Sequence, residues 1–291
     1  MQTALILCRF LHFSVVLVLF GTCLFRGLVF KPWLGVTNGS PLDATLKTLT
    51  RWLSGLALIS ALAWLVLTAA SMAGDWQDGV DPSTLMLVLG NTFYGKVWVW
   101  HLLFSAVLLV CVSLPTSASP VPKLVLCTLL LATLAPVGHG AMFDGLFGQL
   151  LILNQFIHLS TVGAWLGGLV LLGLVLLQPA VSDLRSLLLR FSGIGYGLVA
   201  TIIVTGLINV RVLSGAVWPE PAFSGFGLIL AIKVALVLCM LALALFNRLL
   251  LGTHGYRLEV LRVSVVIECL FGLAAVAAVS LLGTLPPMLA G

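Results

Sequence analysis

The sequence predicts an all-α, polytopic membrane helix bundle of about eight transmembrane helices with both termini periplasmic. Three observations predict it. Hydrophobic residues make up 61% of the chain and charged residues 8%, where a soluble domain carries roughly a quarter charged residues. The apolar runs approach or exceed the ~20 residues of a spanning helix and are too long for transmembrane β-strands. Lysine and arginine collect in alternate loops.

The first run, about Thr3 to Phe30, holds Arg9 and His12 in its first half. It lacks a basic start and a small-residue cleavage site, so it reads as a retained helix. Lys31 to Thr48, with Pro32, Gly39 and Pro41, reads as a loop. The second span covers about Arg51 to Met72. An acidic loop with Asp75, Asp78 and Asp81 follows, then a short surface helix over Pro82 to Leu89. The third span, about Thr92 to Leu114, contains His101, and the fourth covers about Val121 to Val137. Gly138-His139-Gly140-Ala141-Met142-Phe143-Asp144-Gly145 is a short loop rich in metal-ligand residue types. The fifth span opens at Asn154 and continues to Leu177. Asn154 and His158 stand four apart and share one helix face. Polar groups in a bilayer are costly unless they face a bundle interior or a ligand, so this helix reads as the central post, with His158 pointing inward. Residues 179–189 read as a loop. The last three spans run from about Arg190 to Val212, Gly225 to Phe246 and Val260 to Leu282. No internal repeat or linker interrupts them, so residues 1–291 read as one helical domain.

Placing both termini on one side puts Arg26, Lys31, Lys47, Arg51, Lys123, Arg185, Arg190, Arg248, Arg257 and Arg262 in or beside the odd loops. The other side keeps Arg9, Lys96 and Arg211. The odd loops are therefore cytoplasmic and the termini outside. Asp75, Asp78, Asp81, Asp144 and Glu220 then make an acidic outer face that attracts cations. The +5 net charge comes from basic residues dispersed at helix ends, which excludes a nucleic-acid patch; the surrounding partner is membrane lipid. The six cysteines show no CxxC pair, and they read as small core residues.

His12, His101 and His158 each lie eight or nine residues in from the outer end of their helix, about 12 Å deep. His139 lies at the outer end of the fourth helix, beside Met142. Imidazole and thioether together suit copper. The candidate metal ligands are therefore His12, His101, His139, Met142 and His158. A single intramembrane histidine often only bonds a neighbouring helix; three at one depth point further. Glu268 and Lys233 are intramembrane charges, functional by default, at depths too different for a direct pair. Arg9 is placed for headgroups or another anion. Gly193, Gly195 and Gly197 lie in an apolar helix without the strand a nucleotide loop needs, and read as close helix packing.

Arg9-Phe10-Leu11-His12-Phe13, Gly138-His139-Gly140, His158 followed by Ala164-Trp165-Leu166-Gly167-Gly168, Arg190-Phe191-Ser192, Gly206-Leu207-Ile208-Asn209 and Asn247-Arg248 together resemble the CopD family of bacterial inner-membrane copper proteins. The resemblance covers nearly the whole chain, and the order and spacing of the motifs carry it. It implies copper resistance or copper uptake across the cytoplasmic membrane. It also implies a small periplasmic CopC-like copper-binding partner, with no such domain expected within the chain. The motif positions it assigns are His12, His139 and His158. His101 and Met142 join them on depth and proximity.

Two functions follow as expectations. One is a transporter that moves copper ions through the histidine layer, more a binding protein than an enzyme. The other is a membrane redox protein in which two of His12, His101 and His158 ligate haem b and Arg9 meets a propionate. A covalent c-type haem is excluded, because no CxxCH is present. A plainer reading is an anchor for a copper-binding partner.

Overall fold

The computed structural model describes residues 1–29, 40–114, 119–138, 143–177, 184–216, 218–219, 221, 223–252 and 257–283. All regular structure among them is helical: α1 (Gln2–Leu24), α2 (Pro41–Ala73), α3 (Pro82–Asn91), α4 (Phe93–Ser113), α5 (Val121–Leu134), α6 (Gly145–Leu176), α7 (Leu184–Ser214), α8 (Gly225–Gly252) and α9 (Leu258–Leu282). A π-helical turn, Phe25–Val29, extends α1. Seven of these helices are long and apolar enough to cross a membrane; α5 is apolar but only 14 residues long. The bundle is thus the polytopic all-α architecture expected, with the fourth span shorter than expected.

Three helices begin earlier than the hydropathy pattern placed them. α2 starts at Pro41 within the expected loop. Ser40 accepts the Asp43 amide at 3.2 Å, Pro41 opens the first turn and Asp43 follows it, all of which favour a helix start. α6 starts at Gly145 and α7 at Leu184. A window of ~20 apolar residues finds only the part of a helix inside hydrocarbon, and these helices run past it. The surface helix expected after the acidic loop is α3, where Asp81 accepts the Thr84 amide at 2.9 Å.

Several arginines close helix C-termini, whose last carbonyls lack intrahelical partners. Arg51 Nε donates to Val112 O at 3.1 Å at the end of α4. Arg185 Nη2 reaches Leu251 O at 3.3 Å at the end of α8, and Arg262 Nε reaches Leu176 O at 2.8 Å at the end of α6. These are residues the charge bias assigned to one membrane face, so that bias also has a structural use. Arg26 and Lys47 both pair with buried Asp43, Lys47 at 2.7 Å. At the opposite end Arg9 Nη1 donates to Gly283 O at 3.0 Å. The first and last helices therefore bring both ends of the described chain to one side, as an even number of crossings requires.

α6 is the central post: 72% of its most apolar stretch is buried, against 6% and 11% for α7 and α8. One buried core joins α1, α2, α4, α5 and α6, and a second joins α6 to α7, α8 and α9. The glycines of α6 set its distance from α1. A Cβ on Gly21 would run into the Gly163 carbonyl, and one on Gly167 would sit 2.6 Å from both Gly21 Cα and Thr22 N. Small residues let membrane helices approach this closely. Gly193, Gly195 and Gly197 of α7 differ from expectation. Among the described residues nothing lies within 4 Å of a Cβ at any of them, so they do not mediate close packing.

The α1–α6 crossing is directly testable. Gly167→Ala should destabilise the purified protein by about 1–3 kcal/mol, the cost of overpacking a tight contact. Gly55→Ala, with open space around its Cβ, should be neutral or mildly stabilising. Thermal unfolding in detergent compares the two; equal midpoints would show that the crossing tolerates a methyl group.

Candidate metal centre

Two of the expected ligands meet. His12 of α1 and His101 of α4 are fully buried, and their Nε2 atoms stand 3.0 Å apart. The His12 Nδ1 lies 2.9 Å from the Ser60 hydroxyl of α2, and the His101 Nδ1 lies 2.7 Å from the Thr133 hydroxyl of α5. Each hydroxyl also donates to a carbonyl of its own helix: Ser60 to Leu56 at 2.5 Å, Thr133 to Leu130 at 2.8 Å.

A hydroxyl whose single hydrogen is committed to a helix carbonyl can only accept from the imidazole. With both hydroxyls in that role the two rings carry their hydrogen on Nδ1 and both Nε2 atoms are free to ligate one cation; with one hydroxyl turned to donate to its ring, the 3.0 Å between the Nε2 atoms is a hydrogen bond between the two imidazoles. Imidazoles that bind metals commonly donate their other N–H as in the first of these. The spacing also suits a metal. With metal–nitrogen bonds of about 2.0 Å, cis nitrogens stand ~2.8 Å apart at a right angle and ~3.3 Å apart at the tetrahedral angle; the observed 3.0 Å lies between.

Aromatic rings enclose the pair. Trp98 stacks on His101 with centroids 4.6 Å apart and an 11° tilt, and Trp64 meets His12 edge-on at 5.5 Å. The Trp98 indole N–H donates to Ala61 O at 3.0 Å, which fixes its ring. Cys8, one turn before His12, donates its thiol to Ser60 O at 3.4 Å.

His158 is built the same way but elsewhere. Its Nδ1 lies 2.8 Å from the Thr205 hydroxyl of α7, which donates back to Thr201 O at 2.6 Å. Asn154, one turn earlier on the same face, donates to Asn209 Oδ1 at 2.8 Å and Thr205 O at 3.2 Å, and Asn209 donates to Gln155 at 3.0 Å. This network ties α6 to α7 beside a cavity of about 240 Å³. The cavity is walled by α1, α6, α7, α8 and α9, largely by aliphatic side chains, with His158, Arg9, Lys233, Gln155 and Asn209 as its polar lining. Gly206 leaves room beside the His158 ring, 3.7 Å from a Cβ placed there. His158 thus lines this cavity together with Arg9, Phe13 and Leu17 of α1, while the neighbouring His12 pairs with His101. Among the described residues no group of three or more histidine, cysteine or acidic side chains comes together.

Glu268 and Lys233 form no ion pair among the described residues. Glu268, buried in α9, accepts the Trp165 indole N–H at 3.1 Å and the Asn247 amide at 3.4 Å. Two motif residues from α6 and α8 therefore converge on one carboxyl. The Arg9 guanidinium packs over the Trp64 ring at 5.4 Å as well as bonding Gly283. His139 and Met142 lie outside the described residues. Met72 and Met86 are exposed. In the acidic outer loop, hydrogen bonds from the Ser83 hydroxyl and then the Thr84 amide hold the Asp81 carboxyl below its usual range, so that it stays anionic.

Sequence reasoning missed Ser60, Thr133 and Thr205, which orient the histidines, and Trp64 and Trp98, which enclose two of them. Their only sequence signal is a hydroxyl or indole inside an apolar run, and each is common as a helix-packing residue.

Comparison with known proteins gives the chain's family. The family description "Copper resistance protein D-like, N-terminal domain" matches residues 1–150, and "Copper resistance protein D" matches residues 185–282. The chain is 29% identical over 247 residues to "Inner membrane protein YebZ" of Escherichia coli (strain K12), covering 84% of this chain and 82% of that one. It is 28% identical over 303 aligned positions to "Copper resistance protein D" of Pseudomonas syringae pv. tomato, covering 96% and 95%. It is 26% identical over 246 residues to "Copper transport protein CutJ" of Bacillus subtilis (strain 168), covering 78% of this chain and 44% of that one. No solved structure matches it. A copper-related, multi-pass protein of the inner membrane, the chain belongs to the copper resistance protein D family.

Proposed function

We propose that this protein moves copper ions across the cytoplasmic membrane, with His12 and His101 as the intramembrane ligands. The observation that supports it most is the buried pair of imidazoles with their Nε2 atoms 3.0 Å apart and each Nδ1 against a hydroxyl of a neighbouring helix. Copper is the cargo, and imidazole suits it. The acidic outer loop, with Asp75 and Asp78 exposed and Asp81 half-buried, supports capture from the periplasm, including hand-over from a small CopC-like partner. His139, which the family resemblance assigns, and Met142, three residues on, are the candidate entry ligands. The pair is closed to solvent, so an ion reaches it only when α1, α2 and α4 part.

A second reading rests on the cavity. His158 and Arg9 line it, and they are the parts a b-type haem would use: one axial imidazole and one cation for a propionate. Bound there, haem would supply one-electron transfer. The pair His12–His101 does not fit bis-histidine ligation. An iron between two trans imidazoles separates their nitrogens by roughly 4 Å at bonds of about 2.0 Å, and here they stand 3.0 Å apart. Among the described residues only His158 lines the cavity as an imidazole.

Two experiments separate these readings. His12→Ala or His101→Ala should abolish copper accumulation in cells at equal protein level, and Ser60→Ala should weaken copper affinity by about 10–100-fold, the usual effect of removing an orienting partner. Unchanged accumulation in either histidine variant would end the transport reading. An absorption spectrum after expression with ample haem should be featureless in the Soret region while copper is retained. A Soret band that vanishes in His158→Ala and persists in His101→Ala would instead establish haem in the cavity.

A further inference from the structure

Two acids are buried among the described residues, Asp43 and Glu268. Asp43 is paired with Arg26 and Lys47. Glu268, only 2% exposed, has no such cation. Both of its oxygens accept from neutral donors instead: Oε1 from the Trp165 indole at 3.1 Å, Oε2 from the Asn247 amide at 3.4 Å. The surroundings also suit the protonated acid. Asn247 Oδ1 is buried without a hydrogen-bond partner, and so is the hydroxyl of Ser264, one turn before Glu268. An amide turned over has nearly the same shape. One way round its nitrogen donates to a carboxylate; the other way its oxygen accepts the O–H of a carboxylic acid. Asn247 therefore offers one hydrogen bond to either charge state, while Trp165 holds the other oxygen.

The cavity beside His158 leads to this carboxyl. On α9 its lining runs from Gly283 at the outer end of the helix inward to Gly272. Gly272 is four residues after Glu268, about 6 Å along the axis. Trp165, which donates to Glu268, is itself part of the cavity wall. Two side chains close the inner end: a Cβ on Gly272 would lie 3.1 Å from Leu166 Cδ1 and 3.2 Å from Met240 Cε. Methionine is unbranched and adaptable, so a rotation of Met240 opens the last turn. The helices packed against α9 are α1, α6 and α8. Their charged and titratable groups on this side are Arg9, His158 and Lys233, which line the cavity, and Arg248, which bonds Leu189 O. On α9 itself Cys269 adjoins Glu268, and Arg262 bonds Leu176 O. None forms an ion pair with Glu268.

We propose that Glu268 is an intramembrane proton-binding site, loaded from the periplasmic side through this cavity, and that its proton is the ion coupled to copper movement. The proton site stands on its own geometry; only the coupling rests on the copper reading above. Carboxyls held inside a membrane bundle mark proton relays. Here a proton enters the cavity, passes Met240 and binds Oε2, and the Asn247 amide turns over to accept it. The charge that the bilayer disfavours is then gone until the proton leaves.

The test uses right-side-out membrane vesicles containing the full-length protein. Dicyclohexylcarbodiimide reacts with protonated carboxyls in apolar surroundings, and mass spectrometry locates the label. Glu268 should be labelled, at a rate that falls about tenfold per pH unit above its midpoint. Ion-paired Asp43 should stay unlabelled. With the two sides buffered separately, labelling of Glu268 should follow the outside pH. Labelling that is absent, independent of pH as for a purely structural acid, or governed by the inside pH would overturn the site. In the same vesicles, acidifying the outside should speed copper uptake. Glu268→Gln, a neutral mimic of the protonated acid, should lose that response while still binding copper, and Glu268→Asp should restore part of it. An intact response in Glu268→Gln would overturn the coupling. No copper uptake by the parent protein would end the copper reading and the coupling with it, and the labelling would still decide the proton site.

Discussion

Helices α1 and α6 cross where Gly21 lies against Gly163 and Gly167, with no side chain between the two backbones. A bilayer offers little hydrophobic drive for helices to associate, so close van der Waals contact of this kind has to supply it. The crossing also sets the depth of the chemistry. His12 lies nine residues before Gly21 on α1, and His158 lies five before Gly163 on α6. A shift of either helix by one turn, about 5.4 Å, would move one histidine past its hydroxyl partner. Trp165, between Gly163 and Gly167, is positioned by the same contact when it reaches Glu268 in α9.

A second regularity sits on top of that crossing. Three histidines on three different helices each meet a serine or threonine from a neighbour, and each of those hydroxyls is itself bonded to its own helix backbone. Hydroxyls bonded in this way are satisfied without water, at the cost of a helix that often bends there. They serve as fixed hydrogen-bond partners inside hydrocarbon, where an unsatisfied polar group would be expensive. The same arrangement used twice at one place brings two Nε2 atoms to 3.0 Å. Used once beside a cavity, it leaves a single imidazole in the lining. What separates the two sites is the number of imidazoles that α1, α4 and α6 bring to each.

Much of this was legible in the sequence. The apolar runs and the alternation of basic loops set the number and order of the membrane helices. The common depth of His12 and His101 anticipated their meeting. That depth could not say that His158 would face a different space, because periodicity gives a residue's height and rotation on its own helix but not which helices are neighbours. Asn154 and His158 were rightly placed on one face, yet the partners on α7 were invisible. Asn209 and Thr205 only matter once α7 lies against α6. The early starts of α2, α6 and α7 were missed for a simpler reason. A hydropathy window measures the bilayer's thickness, and a helix does not stop where the hydrocarbon does.

The short α5 changes the medium around the bundle. Fourteen residues make a helix of about 21 Å, against a hydrocarbon layer of roughly 30 Å, and tilting only shortens its reach. A span too short for the bilayer is accommodated by local thinning or by flanking residues that reach to the interface. Thr133, which meets His101, lies one residue from the end of α5. A thicker bilayer would strain α5 first, while the seven long helices still have the length to cross it.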